Sequence, residues 1–144
     1  GEGPEKDFLE REAKDLNIYS CIKFLGRVPH EEMPALLSQA DIYVSTSLYD
    51  GTSVSLLESM GSGAFPVVTD IPSNREWITD AENGFLVPTE NEDILARKIV
   101  DAIRNKELLV KASGKNRELI EQRAHWKTNI RQVANIYESF SSSV

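Results

Sequence analysis

Four short apolar runs recur along the chain, most of them followed by a segment of helical periodicity: "CIKFLG" (Cys21 to Gly26), "DIYVSTS" (Asp41 to Ser47), "FPVVTD" (Phe65 to Asp70) and "NGFLV" (Asn83 to Val87). Most are apolar throughout rather than at every second residue, as strands buried on both faces are. Alternation of such strands with helices predicts an α/β fold: a Rossmann-like parallel sheet with helices on both faces. The helical segments carry apolar residues three and four apart. "PEKDFLEREAKDLN" (Pro4 to Asn17) places Phe8, Leu9, Ala13 and Leu16 in this way, and "HEEMPALLSQA" (His30 to Ala40) places Met33, Leu36 and Leu37. Pro34 fits only within a first turn. "SVSLLESMGSG" (Ser53 to Gly63) opens on a Thr/Ser cap and closes on glycines. A short helix is expected in "PSNREWITD", and a longer one in "NEDILARKIVDAIRN" with Ile94, Leu95, Ile99, Val100 and Ile103 turned inward. Two more follow, from Lys106 to Arg123 and from Trp126 to Phe140. The expectation is one domain over residues 1–140 and a frayed, Ser-rich tail at 141–144.

A chain of 144 residues suits one domain with its own core. No apolar run reaches the ~18 residues of a membrane span. The single cysteine, Cys21, cannot form an internal disulfide; it reads as a small core residue beside a strand, in a reducing, cytoplasmic compartment. With 16 Lys plus Arg against 23 Asp plus Glu, the net charge is −7. That argues against a nucleic-acid partner, which needs clustered positive charge. An anionic ligand would have to be held locally, and helix N-termini can do so with backbone N–H groups. His30 reads as exposed or capping and His125, with Trp126, as packing. No His, Cys and carboxylate cluster has metal-ligand spacing, so neither metal nor cofactor is expected.

In an open parallel sheet, ligands bind beyond the carboxyl ends of the strands, at the N-termini of the following helices. "STSLYDGTSVS" (Ser45 to Ser55) occupies such a place. Gly51 permits close backbone approach, and N–H groups around Thr52 to Ser55 can bind a phosphate or sugar oxygen. Glu58, in about the second helical turn, can accept hydrogen bonds from a ribose diol. Asp50 would face whatever is attached to the phosphate. By spacing alone, a capped helix with a solvated glutamate explains the pattern equally well.

The ordered series "YDGTSVSLLESMGSGAFPVV" (Tyr49 to Val68) is more specific. From Gly1 to Phe140 the chain resembles the donor-binding half of the retaining, nucleotide-sugar-dependent glycosyltransferases of family 4, also called group 1, of the two-domain GT-B type. The family motif is two glutamates separated by seven residues, then a small residue, Gly and Pro-Val-Val; here it reads Asp50, Glu58, Ser59-Met60, Gly63 and Pro66-Val67-Val68. The resemblance implies that Glu58 binds the ribose hydroxyls and that Asp50, one methylene shorter than the usual glutamate, faces the donor sugar as the catalytic-site carboxylate. Gly51, Thr52, Ser53 and Val54 match the loop whose N–H groups meet sugar and diphosphate. Gly26, Arg27 and Val28 match a loop lining the base. "DIPSNREWITDAENGFLV" matches a segment that usually carries glycines before a Glu; here Ser73 and Asn74 stand for glycine and Glu76 keeps the acidic position.

"GEGP" resembles the turn after a family strand, so at least one strand, a basic pair that neutralises the diphosphate and an N-terminal acceptor domain are expected outside this sequence. The implied activity is transfer of a sugar from a nucleoside diphosphate sugar to an acceptor hydroxyl, in glycan, polysaccharide or glycolipid synthesis, with retention and without metal. Membrane association is expected only through the other half, and the chain alone is expected not to transfer. A phosphoacceptor signalling domain fits less well, because Asp41 begins its strand and no acidic pair lies nearby. An epimerase would need an acid and base that the chain does not display. A degenerate nucleotide- or partner-binding domain stays open because of Asp50.

Overall fold

In the computed structural model, which describes residues 2–141, three of the four apolar runs form one parallel sheet in the order β1 (Ile42–Ser45), β2 (Phe65–Thr69), β3 (Phe85–Val87). Ile42 pairs with Phe65 and Val67 with Phe85, so the carboxyl ends of all three strands point the same way. β2 is central and every one of its residues is buried. β1 is an edge, and its Val44 is 42% exposed.

Alternate residues of these strands feed two cores, as the pleat requires. Phe65, Val67, Phe85 and Val87 face α5 (Glu92–Arg104), meeting Ile94, Leu95 and Ile99. Phe65 and Phe85 pack edge to face with centroids 5.1 Å apart. On the other face Val68 meets Leu56 and Met60 of α3 (Val54–Ser62), together with Leu119 and Ile120 of α6 (Lys106–Arg123). The sheet is thus covered on both sides, as its apolar runs imply.

α3 stops where Gly63 takes φ 94° and returns its N–H to the carbonyls of the last turn. A Cβ at that position would stand 2.5 Å from Ser113 Oγ and 2.6 Å from Arg117 Nη2. Both are movable side-chain ends, so the backbone conformation sets most of the cost. Gly63→Ala is expected to destabilise the fold by about 1 kcal/mol, read from the denaturant midpoint.

Between β2 and β3 the chain makes α4 (Pro72–Arg75) and a loop held by two buried amides. Asn83 Nδ2 donates to the Trp77 carbonyl (3.0 Å) and to Asn116 Oδ1 (2.8 Å), and Asn83 Oδ1 accepts from the Thr79 N–H (2.7 Å). Asn116 Nδ2 donates to the Asn83 carbonyl at 2.9 Å. These bonds fasten the entry to β3 onto α6.

The chain forms two units, Gly1–Ala35 and Leu36–Val144, and the sheet belongs to the second. The first contains α1 (Lys6–Asp15), as expected, with Ala13 buried but Phe8, Leu9 and Leu16 exposed. The predicted strand Cys21 to Gly26 does not form. Tyr19–Cys21 is a 3-10 turn, the following residues are irregular, and Ile22 and Leu25 are 38% and 55% exposed. A strand needs a hydrogen-bonding neighbour, and no described residue of this unit is a strand. Cys21 is correspondingly exposed rather than in a core. α2 (Met33–Leu37) follows, with Pro34 in its first turn.

One other expectation is corrected. On α5, Val100 and Ile103 are 41% and 57% exposed, because the inward stripe runs through Ile94, Leu95, Ile99 and Ala102. α7 (Trp126–Ser141) buries none of Ile130, Val133, Ile136, Tyr137 or Phe140, and Trp126 is 73% exposed. His125 is half-buried, and its Nδ1 lies 3.1 Å from Thr128 Oγ1 at the helix start. Ser141 is helical, and the remainder of the expected frayed tail lies outside the described residues.

Candidate functional site

The loop from Thr46 to Ser53 carries the chain from the carboxyl end of β1 to the first turn of α3. Ser53 is the N-cap: its Oγ accepts from the Leu56 N–H at 3.4 Å, and its carbonyl accepts from Leu57 N–H at 3.1 Å. The N–H groups of Val54 and Ser55 come before those bonds and are the helix's donors for an outside acceptor. A chain of hydroxyls braces this turn from the sheet: Tyr43 Oη lies 2.8 Å from Ser55 Oγ, which lies 3.2 Å from Ser53 Oγ. At the other end of the loop, buried Thr69 donates its hydroxyl to the Ser47 carbonyl, tying the loop to the end of β2.

The sequence-predicted site residues divide between the two units. Asp50, Gly51, Thr52, Ser53, Val54 and Glu58 are brought together on one loop and the first turns of one helix. Asp50 and Glu58 are half-buried, Gly51 and Thr52 exposed. Exposed apolar side chains flank them: Leu48 at 62%, Tyr49 at 91% and Val54 at 65%. On α3 the buried side is Leu56, Ser59 and Met60, with Ser59 donating its hydroxyl to the Leu56 carbonyl at 2.7 Å. Glu58 is thereby kept off the core face. Gly26, Arg27 and Val28 belong to the first unit, where Gly26 has φ 66° and Arg27 is exposed.

Sequence reasoning missed the bracing residues Tyr43 and Thr69. Thr69 ends a strand, a position that could have suggested a role at the sheet's carboxyl edge. Tyr43 gave no signal, since its partner lies twelve residues away across the turn. Arg75 is engaged: its Nε and Nη2 donate to Asp70 Oδ1 and Oδ2 at 2.6 and 2.9 Å, just past β2. This bidentate bond holds the Asp70 carboxyl below its ordinary range. A depressed carboxylate pKa contributes stability that is present above the unfolded value and lost as pH falls through the folded one. Arg75→Ala should raise the Asp70 pKa toward the ordinary carboxylate range, a shift that NMR titration of the carboxyl carbon would register.

Among the described residues there is no group of three or more His, Cys, Asp or Glu side chains arranged to hold a metal ion. Nor is any described helix long and apolar enough to cross a membrane. What the α3 turn can do is accept an anion at its N–H groups and hydroxyl donors at its two carboxylates.

The family model described as glycosyl transferases group 1 matches residues 1–132. The phosphatidyl-myo-inositol mannosyltransferase of Mycobacterium leprae (strain TN) is 28% identical over 123 residues, which cover 85% of this chain and 33% of that protein. Among solved structures, the C-terminal domain of the group 1 glycosyl transferase LpcC from Francisella tularensis superposes with a TM-score of 0.77 at 27% identity, covering 86% of this chain and 66% of that one. A mutant of TarM from S. aureus, solved with fondaparinux, alpha-GlcNAc-glycerol and UDP, gives 0.83 at 28% identity, covering 95% of this chain and 28% of that one. The chain spans about a third of the length of the first curated relatives it matches, 36% and 33%.

Proposed function

Because the chain belongs to the group 1 glycosyltransferases, we propose that it is the donor-binding part of an enzyme that moves a sugar from a nucleoside diphosphate sugar to an acceptor hydroxyl with retention of configuration. The observation that carries this reading is the α3 turn: a capped helix N-terminus at the carboxyl end of a parallel sheet, with Asp50 before it and Glu58 within it. The diphosphate is assigned to the N–H groups of the 51–54 loop and first turn, and the ribose diol to Glu58. Asp50 is assigned to the hydroxyls of the donor sugar.

In the reaction the bond from the anomeric carbon to the diphosphate oxygen breaks and a bond to the acceptor oxygen forms on the same face. The acceptor proton passes to the departing diphosphate, which makes a separate base in this half unnecessary. Charge grows on the leaving oxygen as the anomeric carbon becomes cationic. N–H donors fixed by the Ser53 cap are aimed where that negative charge develops, which is how a preorganised site lowers a barrier. The reacting end of the acceptor is assigned to an N-terminal domain, so this chain by itself binds donor without transferring.

The test is ligand-observed saturation-transfer NMR with UDP, GDP and ADP and their sugar conjugates. Affinity near millimolar, about −4 kcal/mol, is expected of a partial site. Saturation concentrated on ribose protons of one nucleotide supports the reading. Binding of none of them by the folded chain counts against it.

A further inference from the structure

Beyond the α3 turn, the carboxyl edge of the sheet holds a cavity on the α5 face. Its volume is about 310 Å³.

Thr69 at the end of β2 lines the carboxyl-edge cavity. Thr46 and Leu48 border it from the loop after β1, Val87 from the end of β3 and Leu95 from α5, while the exposed side chains of Glu90 and Glu92 stand at its edge. Val87 and Leu95 belong to the core on the α5 face, whereas α3 packs on the opposite face. The loop that leads to Asp50 therefore has the α3 turn on one side and this cavity on the other.

The lining selects a ligand class. Leu48, Val87 and Leu95 offer apolar wall to the C–H face of a sugar ring. Ionised Glu90 and Glu92 accept hydrogen bonds and donate none, which suits hydroxyl groups. The same two charges oppose a phosphate or a uronate, and no Lys or Arg lines the cavity to offset them. Ligand cavities begin at roughly 300 Å³, so the space suits one small unit rather than a nucleotide.

We infer that this cavity is a subsite for an uncharged saccharide unit and, resting on the donor reading above, that the unit belongs to the acceptor. The test is a series of amide ¹H–¹⁵N spectra of the ¹⁵N-labelled chain, titrated with methyl glucoside, methyl mannoside and N-acetylglucosamine, with glucuronate as the charged control and UDP and UDP-glucose added separately. Expected are saturable shifts at Thr46, Val87 and residues 90–95 with a neutral saccharide alone, none with glucuronate, and affinity about tenfold weaker in a Glu90→Ala, Glu92→Ala double variant. The spectra themselves show whether that variant is folded.

Silence of all three neutral saccharides up to about 100 mM overturns the inference, since that corresponds to negligible binding energy. Shifts at residues 90–95 from UDP-glucose but from no free saccharide also overturn it, by giving the cavity to the donor's sugar. UDP shifts at residues 52–58 report the donor site independently. If they appear while the saccharides are silent, this inference alone fails. If they are missing while the saccharides shift residues 90–95, the saccharide subsite stands and the donor reading fails, taking the acceptor assignment with it.

Discussion

Glu58→Ala is expected to weaken nucleotide binding by about tenfold or more, because hydrogen bonds to a charged group contribute about 1.5–3 kcal/mol each way. The residue is half-buried on α3 and off its core face, which is formed by Leu56, Ser59 and Met60. Stability should accordingly change little, since surface substitutions usually stay within about 0.5 kcal/mol. Saturation-transfer NMR reads binding, and thermal unfolding reads the fold. Glu58→Gln keeps the shape and one acceptor, so it should fall between wild type and alanine. Asp50→Ala provides the contrast: saturation of the ribose protons should persist while that of the donor sugar protons declines. Equal loss at ribose and sugar in both variants would refute the division of roles between the two carboxylates.

Gly84→Ala is expected to be the more damaging change to the fold, at about 2–3 kcal/mol, as overpacking of a filled core is. A Cβ there would stand 2.8 Å from Pro66 Cγ, 2.9 Å from Ile78 Cγ2 and 2.9 Å from the Pro66 carbonyl oxygen. Pro66 is in the fully buried central strand, and a carbonyl of that strand cannot swing aside as a side-chain end can. Asn83, next in the chain, is held by the bonds to Trp77, Thr79 and Asn116, so the loop cannot retreat either. A fall in Tm on the order of 10 °C should follow for a chain of this size. A Tm within about 2 °C of wild type would mean that the β2–β3 approach is looser than these distances indicate.

The contrast between Gly63 and Gly84 shows what local pattern can and cannot reveal. Gly63 ends a helical run and can be read as a helix stop from its position alone. Gly84 lies in an Asn-Gly pair that reads as a turn, yet its size matters because β2 passes against it. That contact joins residues far apart in the chain, and no periodicity records it. The same holds for Asn83 and Asn116, thirty-three residues apart, whose amides are a buried hydrogen-bonded pair. Neither residue was singled out from the sequence.

Within the candidate site, Asp50, the small-residue loop and Glu58 are neighbours in sequence, so their grouping at a helix N-terminus was legible before any tertiary contact was known. The brace from Tyr43 and Thr69 was not, because it depends on which strands lie beside the loop. "CIKFLG" shows the converse error. Its composition suits a strand, but composition cannot supply the neighbouring strand that would hydrogen-bond to it. Val100 and Ile103 were misplaced for a related reason: helical periodicity gives the direction of an apolar stripe, while its buried width depends on how far the sheet beneath extends. Here β1 is the edge of that sheet.

By itself, then, the sequence determined the alternation of strands and helices, the parallel class of the sheet and the cap and carboxylates of the α3 turn. These follow from propensity, periodicity and side-chain chemistry within about a dozen residues. Only the tertiary structure decided which apolar run lacks a strand partner, which faces of α5 and α7 stay exposed, and how Thr69 and Tyr43 fasten the loop. Each of those depends on surfaces that meet only when distant segments pack, and burial and hydrogen bonding are settled there.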